Sequence, residues 1–319
     1  MIQRLFVSIL LGILVLAQSA CSQGPPLRRH TATKRSDLKL VPANRQLDLP
    51  SQVLVTMREG KRIMEVNSIP KHPVGAFPNR GNPHAIEARK STFQMPLEPQ
   101  ASDQLTPIRL GFNFGIGLNG VLFDPLAAEF WQGSRNSGWQ YEALGGAVPL
   151  GLDQNLAHVQ PDGKYHYHGI PAGLLKQLET DRSQHSPVIG WAADGFPIYA
   201  RTGYQDPKDP SSPIVELRPS YRLKTEPRPG GNDGPGGQPD GAFINDYEYV
   251  PKLGDLDECN GRFCVTPEYR QGTYAYFLTD QWPVIPRYWK GTPDSSFASR
   301  LGPPGRRGPP PRRRPGGQQ

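Results

Sequence analysis

Hydrophobic positions along this chain come in short pieces. After an apolar run over residues 5–17, no stretch of that length recurs. Residues 51–57, 188–191, 197–200 and 273–278 are rich in β-branched and aromatic side chains, lie near turn residues, and predict strands. Helical spacing is rare. Leu174, Leu175 and Leu178 form one stripe and predict the longest helix, over residues 171–182. Asp124 followed by Pro125 supplies an N-cap and a first helical residue, which predicts one or two further turns over 124–131. Residues 67–100 and 226–241 are dense in Pro, Gly and Asn and read as irregular loop. The pattern predicts a mainly β fold: a single loop-rich domain over 51–299, β-sandwich-like or β-barrel-like, with one or two short helices.

The ends follow different rules. Residues 1–20 carry a basic residue, Arg4, ahead of the apolar run and finish in Ser19 and Ala20, the pattern of a secretory signal. The run is shorter than the roughly 20 apolar residues that a membrane-spanning helix needs. Cys21 then stands where a lipoprotein would carry its acylated cysteine. The expectation is a periplasmic or cell-surface lipoprotein that touches the membrane through its N-terminal lipid alone, with simple secretion as the alternative. The chain has three cysteines. Acylating Cys21 leaves Cys259 and Cys264, which an oxidising compartment would join as a disulfide. Residues 21–50 read as a basic linker. Residues 300–319 hold Pro, Gly, Arg and Gln with a single Leu, cannot bury a core and predict a disordered tail.

Composition narrows the class. With 35 Gly and 36 Pro in 319 residues, the chain is neither a coiled coil nor a helical bundle. The formal net charge of +7 is carried by the ends. Arg300, Arg306, Arg307, Arg312, Arg313 and Arg314 crowd the tail, and Arg28, Arg29, Lys34, Arg35 and Lys39 crowd the linker. The remainder is slightly acidic, so a nucleic-acid partner for the folded part is not expected.

Candidate chemistry concentrates in one segment. Residues 156–160 (Leu-Ala-His-Val-Gln) and 164–169 (Lys-Tyr-His-Tyr-His-Gly) flank Pro161-Asp162-Gly163. Pro presets the second turn position, Asp tolerates the third, and Gly takes the left-handed position that follows. This predicts a three-residue hairpin loop with a bulge at Gly163. The register then pairs Gln160 with Lys164, Val159 with Tyr165, and His158 with His166. Alternation along a strand puts His166 and His168 on one face, beside His158, and Tyr165 and Tyr167 on the other. Three neutral imidazoles are a ligand set for a divalent transition metal, with zinc or copper favoured.

Other groups are weaker candidates. Asp194, in a turn sequence, and Asp153, just before the first hairpin strand, are candidates for orienting an imidazole or serving as a catalytic base. Asp255, Asp257 and Glu258 offer oxygen ligands for calcium without an EF-hand spacing. His72 and His84 lie in the Pro/Asn/Gly-rich segment, and His185 follows the predicted helix.

At Tyr165-His166-Tyr167-His168 the chain resembles the YHYH-domain family of bacterial exported proteins. The likeness extends to Asn119-Gly120-Val121, Phe123-Asp124-Pro125, Ala128-Glu129-Phe130-Trp131 and the block from Gly138 to Leu144. It includes Ala157 to Gly163, Ala192 to Tyr199, Gly254 to Gly261 and Tyr274 to Thr279, and so covers roughly residues 67–293. His84 departs from the pattern, where Asn is expected. The resemblance implies a secreted or lipid-anchored protein and brings no assured activity. The aromatic–His alternation alone is also similar to a strand of the alpha-class carbonic anhydrases. Three functional readings follow: a metal-binding exported protein, a metalloenzyme of hydrolase or hydratase type at the same site, and a glycan- or surface-binding module using Trp131, Trp139, Trp191, Trp282 and Trp289.

Overall fold

A computed structural model describes residues 30–299. Residues 1–20, where an export signal is expected, Cys21 and the tail 300–319 lie outside the described residues. Three strands come first: β1 (Val53–Arg58), β2 (Lys61–Val66) and β3 (Ser91–Pro96). Then follow β4 (Thr106–Pro107), β5 (Gly115–Gly117), β6 (Leu122–Phe123), β7 (Ala157–Val159) and β8 (Tyr165–Tyr167). The single α-helix described, α1 (Ala172–Gln177), precedes β9 (Gly190–Ala192), β10 (Pro197–Ala200), β11 (Thr202–Tyr204) and β12 (Ile214–Glu216). The last are β13 (Tyr221–Leu223), β14 (Tyr247–Tyr249), β15 (Gly261–Cys264), β16 (Thr273–Leu278) and β17 (Tyr288–Trp289). Among the described residues, no helix is long and apolar enough to cross a membrane.

The fold is mainly β, as the sequence predicts. Its centre is an eight-stranded sheet in the order β15-β16-β10-β9-β5-β6-β8-β7. Only β10–β16 and β6–β8 pair in parallel; the other neighbours are antiparallel. The sheet stays open, because β15 and β7 are separate edges. Both of its faces are covered. Tyr274, Tyr276 and Leu278 of β16 join the main core, while Ala275 and Phe277 pack with Tyr199, Leu217, Leu256 and Cys264 in another cluster. That alternation is the two-residue period of a strand buried on both sides.

Several local expectations are corrected. Residues 124–131 form no helix. Asp124 Oδ1 accepts the Leu126 amide in a local turn, and Trp131 and Tyr141 donate to the Trp139 and Glu129 carbonyls, which commits the backbone to bridges instead. The predicted 171–182 helix contracts to α1, where Leu174 and Leu175 are buried and Glu179 already turns to positive φ. The loop expected over 67–100 contains β3. The linker is not free over its described part. Val41 and Arg45 make backbone bridges with Asp153 and Val74, and Leu38 and Leu47 pack against core clusters.

No disulfide joins Cys259 and Cys264: both thiols are free and buried. Cys259 belongs to the main core, and Cys264 to the cluster that takes the opposite-facing residues of β16. Four intervening residues close a short loop in sequence, but the sheet separates the two sulfurs. Burial raises the pKa of both thiols, so neither is a ready thiolate.

Candidate metal centre

The hairpin forms with the expected register. His158 pairs with His166 and Val159 with Tyr165, and the Gln160 amide donates to the Lys164 carbonyl at 2.9 Å. Gly163 has φ +89 and donates to the Gln160 carbonyl at 2.9 Å, closing the turn. A side chain there would be strained by that φ, and its Cβ would lie 2.7 Å from Glu87 Cβ.

The two faces of this hairpin divide its side chains. Tyr165 and Tyr167 are fully buried in the main core. Tyr165 donates to Asp153 Oδ2 at 2.7 Å and accepts from Asn155 at 3.1 Å. Tyr167 donates to His72 Nε2 at 2.5 Å and accepts from Asn119 at 2.9 Å. His72 fits that role as the Nδ1–H tautomer, because its Nδ1 faces the Pro73 carbonyl at 2.9 Å.

His158, His166 and His168 occupy the other face. Each pair of rings has its centroids 4.7 Å apart. His168 Nε2 is 3.0 Å from His166 Nε2 and 3.0 Å from His158 Nε2. The Leu150 carbonyl accepts from His158 Nδ1 at 2.8 Å, which puts that ring's proton on Nδ1 and leaves Nε2 bare. Asn82 packs against the same ring and donates to the Val159 carbonyl at 2.9 Å. His166 Nδ1 leans on the Lys164 carbonyl at 3.4 Å.

Burial keeps these imidazoles neutral. Desolvation pulls His158 down to about 4, against the pull of the Leu150 carbonyl. Desolvation also lowers His166 and His168 well below the usual range, helped by their neighbours' charges. Neutral imidazole is the metal-binding form. A single shared proton satisfies one 3.0 Å contact in the trio, whereas a cation at the centre satisfies every bare nitrogen. A tetrahedral ion with bonds of about 2.0–2.1 Å holds its nitrogens roughly 3.3 Å apart, so the trio fits with a shift of a few tenths of an ångström. Among the described residues, these three form the one group of three or more His, Cys, Asp or Glu placed to hold an ion.

The remaining candidates lie elsewhere. Asp153 serves the tyrosine face, accepting also from the Gly75 and Asn155 amides at 2.8 Å each. Asp194 sits in the β9–β10 turn and accepts from Tyr276 at 2.5 Å and the Gly291 amide at 2.9 Å. Neither makes a hydrogen bond to the trio. Asp255 accepts from the Arg218 amide, and Asp257 from Tyr274 and the Cys259 and Gly261 amides. The calcium set Asp255, Asp257 and Glu258 is therefore not assembled. His185 packs edge-on against the Tyr199 ring and at a tilt against the Tyr204 ring. Trp289 is buried, and the indoles of Trp139, Trp282 and Trp289 donate to Asp233, Glu142 and Phe114.

The structure adds one residue that sequence reasoning passed over. Phe123 pairs with Tyr167, their rings 5.5 Å apart, and the Asp124 amide donates to the Tyr167 carbonyl at 2.8 Å. Alternation turns Asp124 to the histidine side, one register step from Phe123, level with His168. Burial raises its carboxyl to about 7, with the Leu126 amide and Arg287 opposing. The sequence signal was the strand-ending Phe-Asp-Pro, which also mimics a helix start.

A family model described as YHYH protein matches residues 92–291, a span that contains the hairpin, Asp124 and Asp194. No curated protein and no solved structure matches the chain.

Proposed function

The chain belongs to the YHYH protein family, and from that premise we propose that it binds one divalent transition metal ion, zinc or copper, through His158, His166 and His168. The observation that carries this reading is the meeting of Nε2 atoms at 3.0 Å on neutral, buried rings. The N-terminal pattern of residues 1–21 supports an exported protein held to a membrane by lipid on Cys21, in the periplasm or at the cell surface. Calorimetric titration of untagged protein with zinc or copper tests the metal reading. One equivalent binds to the native chain and none to His166→Ala; native protein that takes up no ion refutes it.

Turnover at the same centre, of hydrolase or hydratase type, is the second reading. It draws on Asp124, a carboxyl on the histidine side of the sheet beside His168. Asp124→Asn would then keep metal stoichiometry and lose activity against ester or hydration substrates.

A further inference from the structure

Three arginines are buried among the described residues: Arg62, Arg228 and Arg287. A guanidinium taken out of water is costly unless an anion and acceptors replace its hydration. Arg228 has both, bonding Asp246 at 2.6 Å and 2.7 Å and Asp240 at 2.6 Å. Arg287 bonds Glu142 at 2.6 Å and the Pro125 carbonyl. Each of these cations is neutralised inside the fold.

Arg62 is not. It is 6% exposed, ion-pairs with no carboxylate among the described residues, and its Nε and Nη1 are buried with no acceptor. It projects from β2 on the side of Met64 and Val66, towards the core. There its guanidinium carbon lies 4.0 Å from the centre of the Trp191 ring. The Trp191 Nε1 is likewise buried with no acceptor. The Tyr269 side chain is a polar neighbour within hydrogen-bonding reach of the guanidinium, which leaves Nε and Nη1 without an acceptor. Across the strand pair stands Met57, 65% exposed, at the edge of the three-stranded sheet. Three orphaned donors thus share one stacked cation–indole unit, where β2 meets β9.

We propose that Arg62 and Trp191 form a binding site for the carboxylate of a small organic acid. Nη2 lies between the two orphaned nitrogens and completes with either of them a fork that matches the two carboxylate oxygens, and the indole N–H supplies a further donor. The net charge at the site is one positive, which suits a monoanion over a phosphate dianion. The near-complete burial of Arg62 suits a small acid over a chain terminus. This site does not depend on the metal reading; it lies on other strands and uses other residues.

Acetate is the probe. In the full-length protein at neutral pH and constant ionic strength, acetate should shift the Trp191 indole N–H resonance saturably. That resonance is assigned by its loss in Trp191→Phe. The shift should vanish in Arg62→Gln, and Arg62→Lys should weaken binding by about tenfold, because an ammonium lacks the fork. Should Arg62→Gln fail to fold, Trp191→Phe keeps the stacking ring and drops the donor. Calorimetry should then show acetate binding weakened several-fold. An indole resonance that acetate leaves unmoved, an equal shift in Arg62→Gln, unchanged affinity in Trp191→Phe, or tighter binding of inorganic phosphate would overturn the proposal.

Discussion

The two faces of one short strand, Tyr165-His166-Tyr167-His168, solve the burial of polar atoms in opposite ways. On the tyrosine face each phenol donates once and accepts once, and Asp153, Asn155, His72 and Asn119 complete a closed network. On the histidine face, the Nε2 atoms meet each other instead of protein donors. The His168 Nδ1 is buried without a hydrogen-bond partner. A closed network is scaffold, because nothing further can bind without breaking it. Converging bare acceptors leave a place for a cation. The scaffold face holds the strand rigid, and the ligand face depends on that rigidity.

The comparison breaks most visibly at the ligands. His166→Ala or His168→Ala should abolish stoichiometric zinc or copper binding, measured by calorimetry, while the tyrosine network still folds the hairpin. The next largest effect is on pH. The three histidines have folded-state pKa values below the unfolded 6.5, so the unfolded chain binds more protons as pH falls. Their contribution is full above about pH 6.5 and declines below it, by about 1 kcal/mol per pH unit for each histidine. His72 and His185 act in the same direction. Asp124 and Asp194, raised to about 7 and about 6, act in the opposite one, and so do Glu129 and Asp257, whose carboxyls burial also raises. The histidines outnumber them, so urea midpoints of metal-free protein should fall between pH 6.5 and 4; a midpoint that rises contradicts the burial of the trio.

Smaller effects sharpen the contrast from the other face. Tyr167→Phe strands His72 Nε2 and Asn119, and should cost about 1–3 kcal/mol in chemical denaturation with metal stoichiometry unchanged. Tyr165→Phe should cost less, because Asp153 keeps the Gly75 and Asn155 amides. His84→Ala should leave affinity within a few-fold, since His84 lies outside the trio. A large loss there would make His84 a ligand.

The hairpin was legible in sequence because Pro161-Asp162-Gly163 sets a turn, the turn sets a register, and the register sets the faces. Each step is local. The role of Asp153 was not legible. Its partner Tyr165 is reached only because the preceding loop folds back, and a carboxylate near a histidine segment in sequence can still serve the opposite face. The missing helix at 124–131 has a similar cause: helix propensity lost to backbone bridges with residues 139–141, distant choices that local residues do not announce. β2 was hidden for a different reason. Its inward positions are Arg62, Met64 and Val66, so a buried cation interrupts the apolar alternation. The disulfide failed because spacing measures chain length, while the sheet decides which side each thiol faces.

Elemental analysis of untagged protein, after incubation with zinc or copper at pH 7 and exhaustive dialysis, tests the central claim most directly. One ion per chain is expected, with X-ray absorption giving three imidazole nitrogens at about 2.0–2.1 Å. Protein that remains metal-free, or an ion held in the His166→Ala variant as tightly as in the native chain, would contradict it.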